Sequence, residues 1–197
     1  MPQLLRKICV FCGSNHGSHP EYRESAVSLG RLLAERGIGI VYGGARLGLM
    51  GAIADTALLS GGEVIGVMPQ SLVDREIAHT GLSKLHIVHG MHERKQLMAD
   101  LSDGFIALPG GFGTLEEFCE VLTWNQLGIH AKPCGLLNVR GYYDGLLALF
   151  DHGVSEGFIP HQHRGVIRAD ADPRQLLDRL AEYEPVIATK WMDKAEA

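Results

Sequence analysis

The sequence lacks most of the features that would assign it to a class at a glance. No apolar run approaches the roughly 20 residues needed to cross a bilayer. The N-terminal MPQLLRKICVFCGS has no charged region followed by a long apolar stretch, so no signal peptide is expected. No block of lysine and arginine offsets a formal net charge of −5, which argues against a nucleic-acid scaffold. These absences predict a soluble, cytoplasmic protein with neither membrane nor nucleic acid as partner. No GxxxxGK[ST] occurs, which excludes a P-loop. CGSNHG lacks GxGxxG, and the run ending in Tyr42-Gly43-Gly44 has no ribose-binding acid, so a dinucleotide fingerprint is missing as well.

Cysteine is scarce, with four residues. Cys9 and Cys12 form a CxxC inside an apolar run that reads as a strand. Residues three apart on a strand point to opposite faces, so the pair is expected as core rather than as a zinc or redox site. Cys119 and Cys134 stand alone in apolar context and read the same way. Among ten histidines, His89 with His92 and His161 with His163 have close spacing. No HExxH or comparable framework of carboxylates and cysteines surrounds them, and no metal is expected.

What is present is an ordinary globular composition. The 197 residues are 46% apolar and 21% charged, enough for one domain with a sizeable core. Short apolar runs alternate with stretches of helical periodicity. Strands are expected at Lys7 to Cys12, IGIVYGG, EVIGVMP, KLHIVHG, DGFIALPGG, KPCGLLNV and GVIRAD. Helices are expected from Pro20 to about Arg36 and over GLMGAIADTALLSGG, MHERKQLMADLS, TLEEFCEVLTWNQL, YYDGLLALFDHG and PRQLLDRLAEY. The strands are continuously apolar rather than alternating, as in a parallel sheet buried on both faces. Alternating β and α units predict an α/β, Rossmann-like, doubly wound parallel sheet with helices on both faces. Residues 1–185 are expected to form one nucleotide-binding domain and 186–197 a flexible tail.

Glycines concentrate at the carboxyl ends of these strands: Gly13 after the first, Gly43 and Gly44 after the second, Gly110, Gly111 and Gly113 after the fifth. Ligands of open parallel sheets bind there, and a helix starting at once after the fifth strand would turn its free N–H groups towards an anion such as phosphate. Any one of these loops alone also reads as a plain tight turn. Thr114 and Glu117 have two readings. Thr-x-x-Glu is a capping box, in which Glu117 would bind the Thr114 amide. A second acid, Glu116, and the glycine cradle instead suggest chemistry at a bound sugar phosphate. In MHERKQLM read as a helix, Arg94 falls on the apolar stripe of Met91, Met98 and Leu101. A cation there is costly unless it is paired or reaches water, and a carboxylate or a phosphate would both serve as partner.

MHERK followed by PGGFGTLEE, with VFCGSN near the start and GGARLGLMG at Gly43 to Gly51, resembles the LOG family of cytokinin riboside 5′-monophosphate phosphoribohydrolases. The likeness runs over nearly the whole chain. The resemblance implies hydrolysis of the N-glycosidic bond of a nucleoside 5′-monophosphate, giving ribose 5-phosphate and free adenine or an N6-prenylated adenine. It implies a homodimer with no cofactor, and a catalytic pair of Arg94 and Glu117. Substrate contacts are expected from Lys95, Glu116 and Thr114, from Gly110, Gly111 and Gly113, and from Gly13, Ser14, Gly43 and Gly44. The family has also been labelled lysine decarboxylase, but no residue here points to pyridoxal phosphate chemistry. Two positions depart from the family's pattern. Ala45 stands where a third glycine is usual, a change expected to be tolerated, and Lys84 stands where an acid is common. The alternative is a carrier that holds a phosphorylated ligand without cleaving it, as molybdenum-cofactor carriers do; such a carrier needs neither Arg94 nor Glu117. Replacing Arg94 by alanine is expected to remove turnover and to relieve a buried charge.

Overall fold

The strands take up the continuously apolar runs. In the computed structural model, which describes residues 4–75 and 77–185, they are β1 (Lys7–Phe11), β2 (Gly39–Tyr42), β3 (Val64–Pro69), β4 (Lys84–Val88), β5 (Gly104–Ala107), β6 (Cys134–Leu137) and β7 (Ile167–Asp170). The tail expected at residues 186–197 lies outside the described residues. All seven strands form one sheet in the order β4-β3-β2-β1-β5-β6-β7, and every neighbouring pair is parallel. β2, β3, β5 and β6 are buried at every position, whereas the edge strands β4 and β7 are only partly covered. A strand interior to a parallel sheet is covered on both faces, and this selects the unbroken apolar runs.

The helices divide between the faces. α1 (Pro20–Glu35), α2 (Gly48–Leu59) and α8 (Pro173–Ala181) pack their apolar stripes on one side, with Ala26, Leu29 and Leu33 at helical spacing along α1. α4 (Met91–Asp100), α5 (Phe112–Gln126) and α6 (Asp144–Ser155) cover the other. Pro20 opens α1 and Gly37, in the left-handed conformation at φ 67°, ends it. Asp172 caps α8 by accepting from the amides of Arg174 and Gln175. Cys9 and Cys12 belong to the cores on opposite faces of the sheet, as their spacing on a strand requires, and all four cysteines are free.

Two short helices had no sequence signal, α3 (Gln70–Val73) and α7 (His161–Arg164). Four residues make a single turn, too few for a periodic pattern. α5 begins at Phe112, two residues earlier than expected, because Gly111 is extended and takes the cap position. Among the described residues no helix is long and apolar enough to cross a membrane.

The chain lays β1 to β4 outward to one edge, then returns to place β5 on the free side of β1. The order reverses between β1 and β5, which opens a crevice above their carboxyl ends.

Candidate active site

Both loops at this crevice are tied together by backbone. The Gly13 amide donates to the Pro109 carbonyl at 3.1 Å, and the Leu49 amide at the start of α2 donates to the Gly13 carbonyl at 3.0 Å. Gly110 has no space for a side chain: a Cβ would run into Thr114 and come 2.9 Å from the Gly13 nitrogen. The glycine therefore permits the close approach of the β1 and β5 loops.

Above β5 the first turn of α5 is open. Its first intrahelical bond runs from the Leu115 amide to the Gly111 carbonyl, and no side chain caps the helix. The amides of Phe112, Gly113 and Thr114 are thus the unpaired donors of a helix N-terminus, at the positive end of its dipole. The capping-box reading of Thr114 and Glu117 fails here, because Gly111 holds the cap position and Thr114 sits inside the first turn.

Glu117 turns instead to Arg94. The Arg94 Nη1 donates to Glu117 Oε1 at 2.6 Å, and its Nε donates to the Val67 carbonyl at 3.1 Å. The two side chains are 11% and 12% exposed. Arg94 lies on the inner face of α4, as the apolar stripe implied, and its partner is the carboxylate. Burial pushes the Glu117 carboxyl above the usual range; the Arg94 guanidinium opposes this and Glu116 adds to it. Burial also raises the Cys12 thiol, with Glu117 adding to the shift, so this neighbour of the pair stays protonated.

The pair forms the floor of a depression of about 330 Å³. Gly13 and Ser14 line it from the β1 loop, and Gly111, Gly113, Thr114 and Glu116 from α5 and its approach. Met50, Met91 and Phe112 add an apolar rim. Phe112 is 93% exposed, projecting from the mouth. Met50 and Phe112 carried no signal of their own in the sequence, because each resembles an ordinary core residue until the sheet places it; Met91 read as part of an apolar stripe, yet it is 46% exposed at this rim.

Four of the expected substrate residues stand elsewhere. Lys95 does not line the depression; its nearly buried side chain bridges α4 to α5, where its Nζ meets Glu116 at 2.6 Å and Glu120 at 2.9 Å. Gly44, at φ 79°, faces Leu85 and Met68 rather than the depression. Gly43 lies behind the Arg94 guanidinium. Gly110 borders a second hollow of about 270 Å³, shared with Ser14, His16, Tyr22 and Tyr142, whose hydroxyl donates to the Gly110 carbonyl at 2.5 Å. Ala45 is buried and bridges to Ala78, so its methyl is accommodated. Lys84 begins the edge strand β4 and is exposed, apart from the residues around the pair. A larger hollow of about 560 Å³ between α1 and α8 mixes Arg23, Arg31 and Arg174 with Glu24, Glu35 and Asp172, and shares no lining residue with the depression over the pair.

Comparison with known proteins gives the chain its relatives. Residues 50–180 match a family model described as possible lysine decarboxylase. The chain is 52% identical over 181 residues to the cytokinin riboside 5′-monophosphate phosphoribohydrolase LOG of Oryza sativa subsp. japonica, covering 92% of this chain and 75% of that one. It is 50% identical to the phosphoribohydrolase LOG7 of Arabidopsis thaliana, over 92% of this chain and 83% of the relative. Among solved structures, the molybdenum cofactor binding protein of Rippkaea orientalis superposes with a TM-score of 0.68 at 23% identity, over 89% of this chain and 95% of that one. The molybdenum cofactor carrier protein of Chlamydomonas reinhardtii superposes with a TM-score of 0.67 at 20% identity, over 90% and 98%. The latter two share the fold; the sequence relationship lies with the plant enzymes, and the chain belongs to the LOG family of cytokinin riboside 5′-monophosphate phosphoribohydrolases.

Proposed function

We propose that this protein hydrolyses the N-glycosidic bond of adenosine 5′-monophosphate and its N6-modified forms, releasing the free base and ribose 5-phosphate. The observation that carries this reading is the nearly dry Arg94–Glu117 pair beneath an open helix N-terminus. The amides of Phe112, Gly113 and Thr114 suit the phosphate. Anchoring this unreacting group orients the ribose above Glu117, and its binding energy is available to lower the barrier.

In the reaction the bond between C1′ and the base nitrogen breaks, with its electron pair leaving on the base. C1′ passes through an oxocarbenium-like state, water adds its oxygen there, and a proton from water ends on the departing base. Glu117 is the one group on this floor that can oppose the developing positive charge or orient the water. Its Oε1 is held by Arg94, and among the described residues Oε2 has no hydrogen-bond partner, which leaves it for water or a ribose hydroxyl. Arg94 favours the ionised carboxylate against the burial that opposes it, and its hydrogen bond orients the group.

The same reading takes the protein as a cytoplasmic homodimer. Four free thiols suit a reducing compartment. α6 carries the apolar run LLALF and yet has no fully buried residue, so its outer face suits a second copy. The deciding experiment incubates the protein with AMP and, separately, with isopentenyladenosine monophosphate, and follows free base and ribose 5-phosphate by chromatography. Release from either supports the glycosidase, and the rate ratio identifies the preferred base. Tight binding without release from either would make the protein a carrier.

A further inference from the structure

We propose that Gly43 is a positioning residue for Arg94: its missing side chain is the slot that seats the guanidinium against Glu117. This rests on the glycosidase reading above. Gly43 follows β2 directly and is buried. Unlike Gly44, it does not adopt the left-handed conformation, so its backbone accepts any residue. What it lacks is space. A Cβ at this position would collide with Arg94 Nη2, lie 3.4 Å from Arg94 Cζ and 3.6 Å from Met50 Sδ.

The guanidinium is thus held from three directions. Val67 accepts from Nε, Glu117 accepts from Nη1, and the bare Gly43 backbone receives Nη2. Because the group is planar and rigid, Nη2 cannot move alone. A methyl group at residue 43 would swing Nη1 and Nε off their acceptors. The colliding atom is the far end of a flexible side chain, so the fold can yield by moving Arg94 rather than by moving backbone. Gly43 itself does not line the depression, and its influence on substrate runs through the arginine.

The test is Gly43→Ala, read three ways. Turnover of AMP is expected to fall about 100-fold with KM nearly unchanged, the size of effect that a misplaced catalytic group produces. The Glu117 carboxyl, followed by carbon NMR, is expected to titrate at higher pH than in the parent protein, since the neighbouring Glu116 and Lys95 charges are untouched and only the guanidinium has moved. In the third reading Gly43→Ala lowers Tm in the parent but leaves it unchanged or raises it in an Arg94→Ala background, where the collision is gone and alanine restricts the unfolded chain. Parent-like turnover with an unmoved Glu117 titration would overturn the proposal, as would an equal loss of Tm in both backgrounds. If Gly43→Ala does not fold, recovery of folding in the double variant supports the slot and its absence refutes it. If the parent protein makes no product at all, the glycosidase reading fails, while the titration and the Tm comparison still decide whether Gly43 seats Arg94.

Discussion

Arg94 and Glu117 share a nearly closed space, and the guanidinium offsets part of the burial that raises the Glu117 carboxyl. The sequence alone suggests that removing Arg94 relieves a buried charge. The structure reverses that sign, because Glu117 would then be left buried without its counterion. Arg94→Ala is expected to cost about 3 kcal/mol in chemical denaturation, as well as turnover. Glu117→Gln is expected to keep the fold and to lower kcat by roughly 10²–10⁴-fold; activity near the parent level would remove Glu117 from the chemistry. The pH dependence of stability follows from the raised carboxyl. A carboxyl raised on folding binds its proton more tightly in the folded state, so its contribution is fully present below the unfolded value and is lost as pH rises through the folded one. The difference in Tm between parent and Glu117→Gln should therefore move against the parent as pH rises above the ordinary carboxyl range.

At the level of elements, the loop between β5 and α5 separates two duties that look identical in PGGFG. Gly110 is required by packing, since a side chain there would press on the Gly13 backbone, which cannot swing aside. Gly111 and Gly113 have open space where a methyl group would stand, with no atom within 4 Å, and neither has a left-handed backbone. Gly110→Ala is expected to lower stability by about 1–3 kcal/mol in a thermal melt. Gly111→Ala and Gly113→Ala should leave Tm where it is and raise KM severalfold, because the added methyl enters the space meant for phosphate. An unchanged KM in both would move the phosphate away from the start of α5.

For the whole molecule, one uncovered apolar face lies on α6 and the turn after it. Leu149 is 61% exposed and Phe158 84% exposed, a level of apolar exposure that a second copy would remove. Sedimentation is expected to give twice the 21.4 kDa chain mass, and the pair Leu149→Glu with Phe158→Glu to shift the protein towards monomer. A parent protein that sediments as a monomer at all concentrations would end the dimer reading.

The local pattern in the chain was sufficient for the sheet. Continuous apolar runs, glycine stops and helical stripes depend on near neighbours, so Ala26, Leu29 and Leu33, or the opposed Cys9 and Cys12, are legible without a structure. So was the need of Arg94 for a partner, because a cation on an apolar stripe is costly wherever the helix goes. The stripe itself did not name that partner; the family resemblance alone paired Arg94 with Glu117. Glu117 sits 23 residues further along, and only the return of β5 to the side of β1 sets α5 beside α4. The same long-range placement turned Lys95 towards Glu116 and Glu120, left Gly44 among Leu85 and Met68, and put Gly43 behind the guanidinium. Residue type and spacing determined which elements form and which groups need company; the crossover of the chain decided which groups meet, since contacts between distant segments exist only once the sheet order is set.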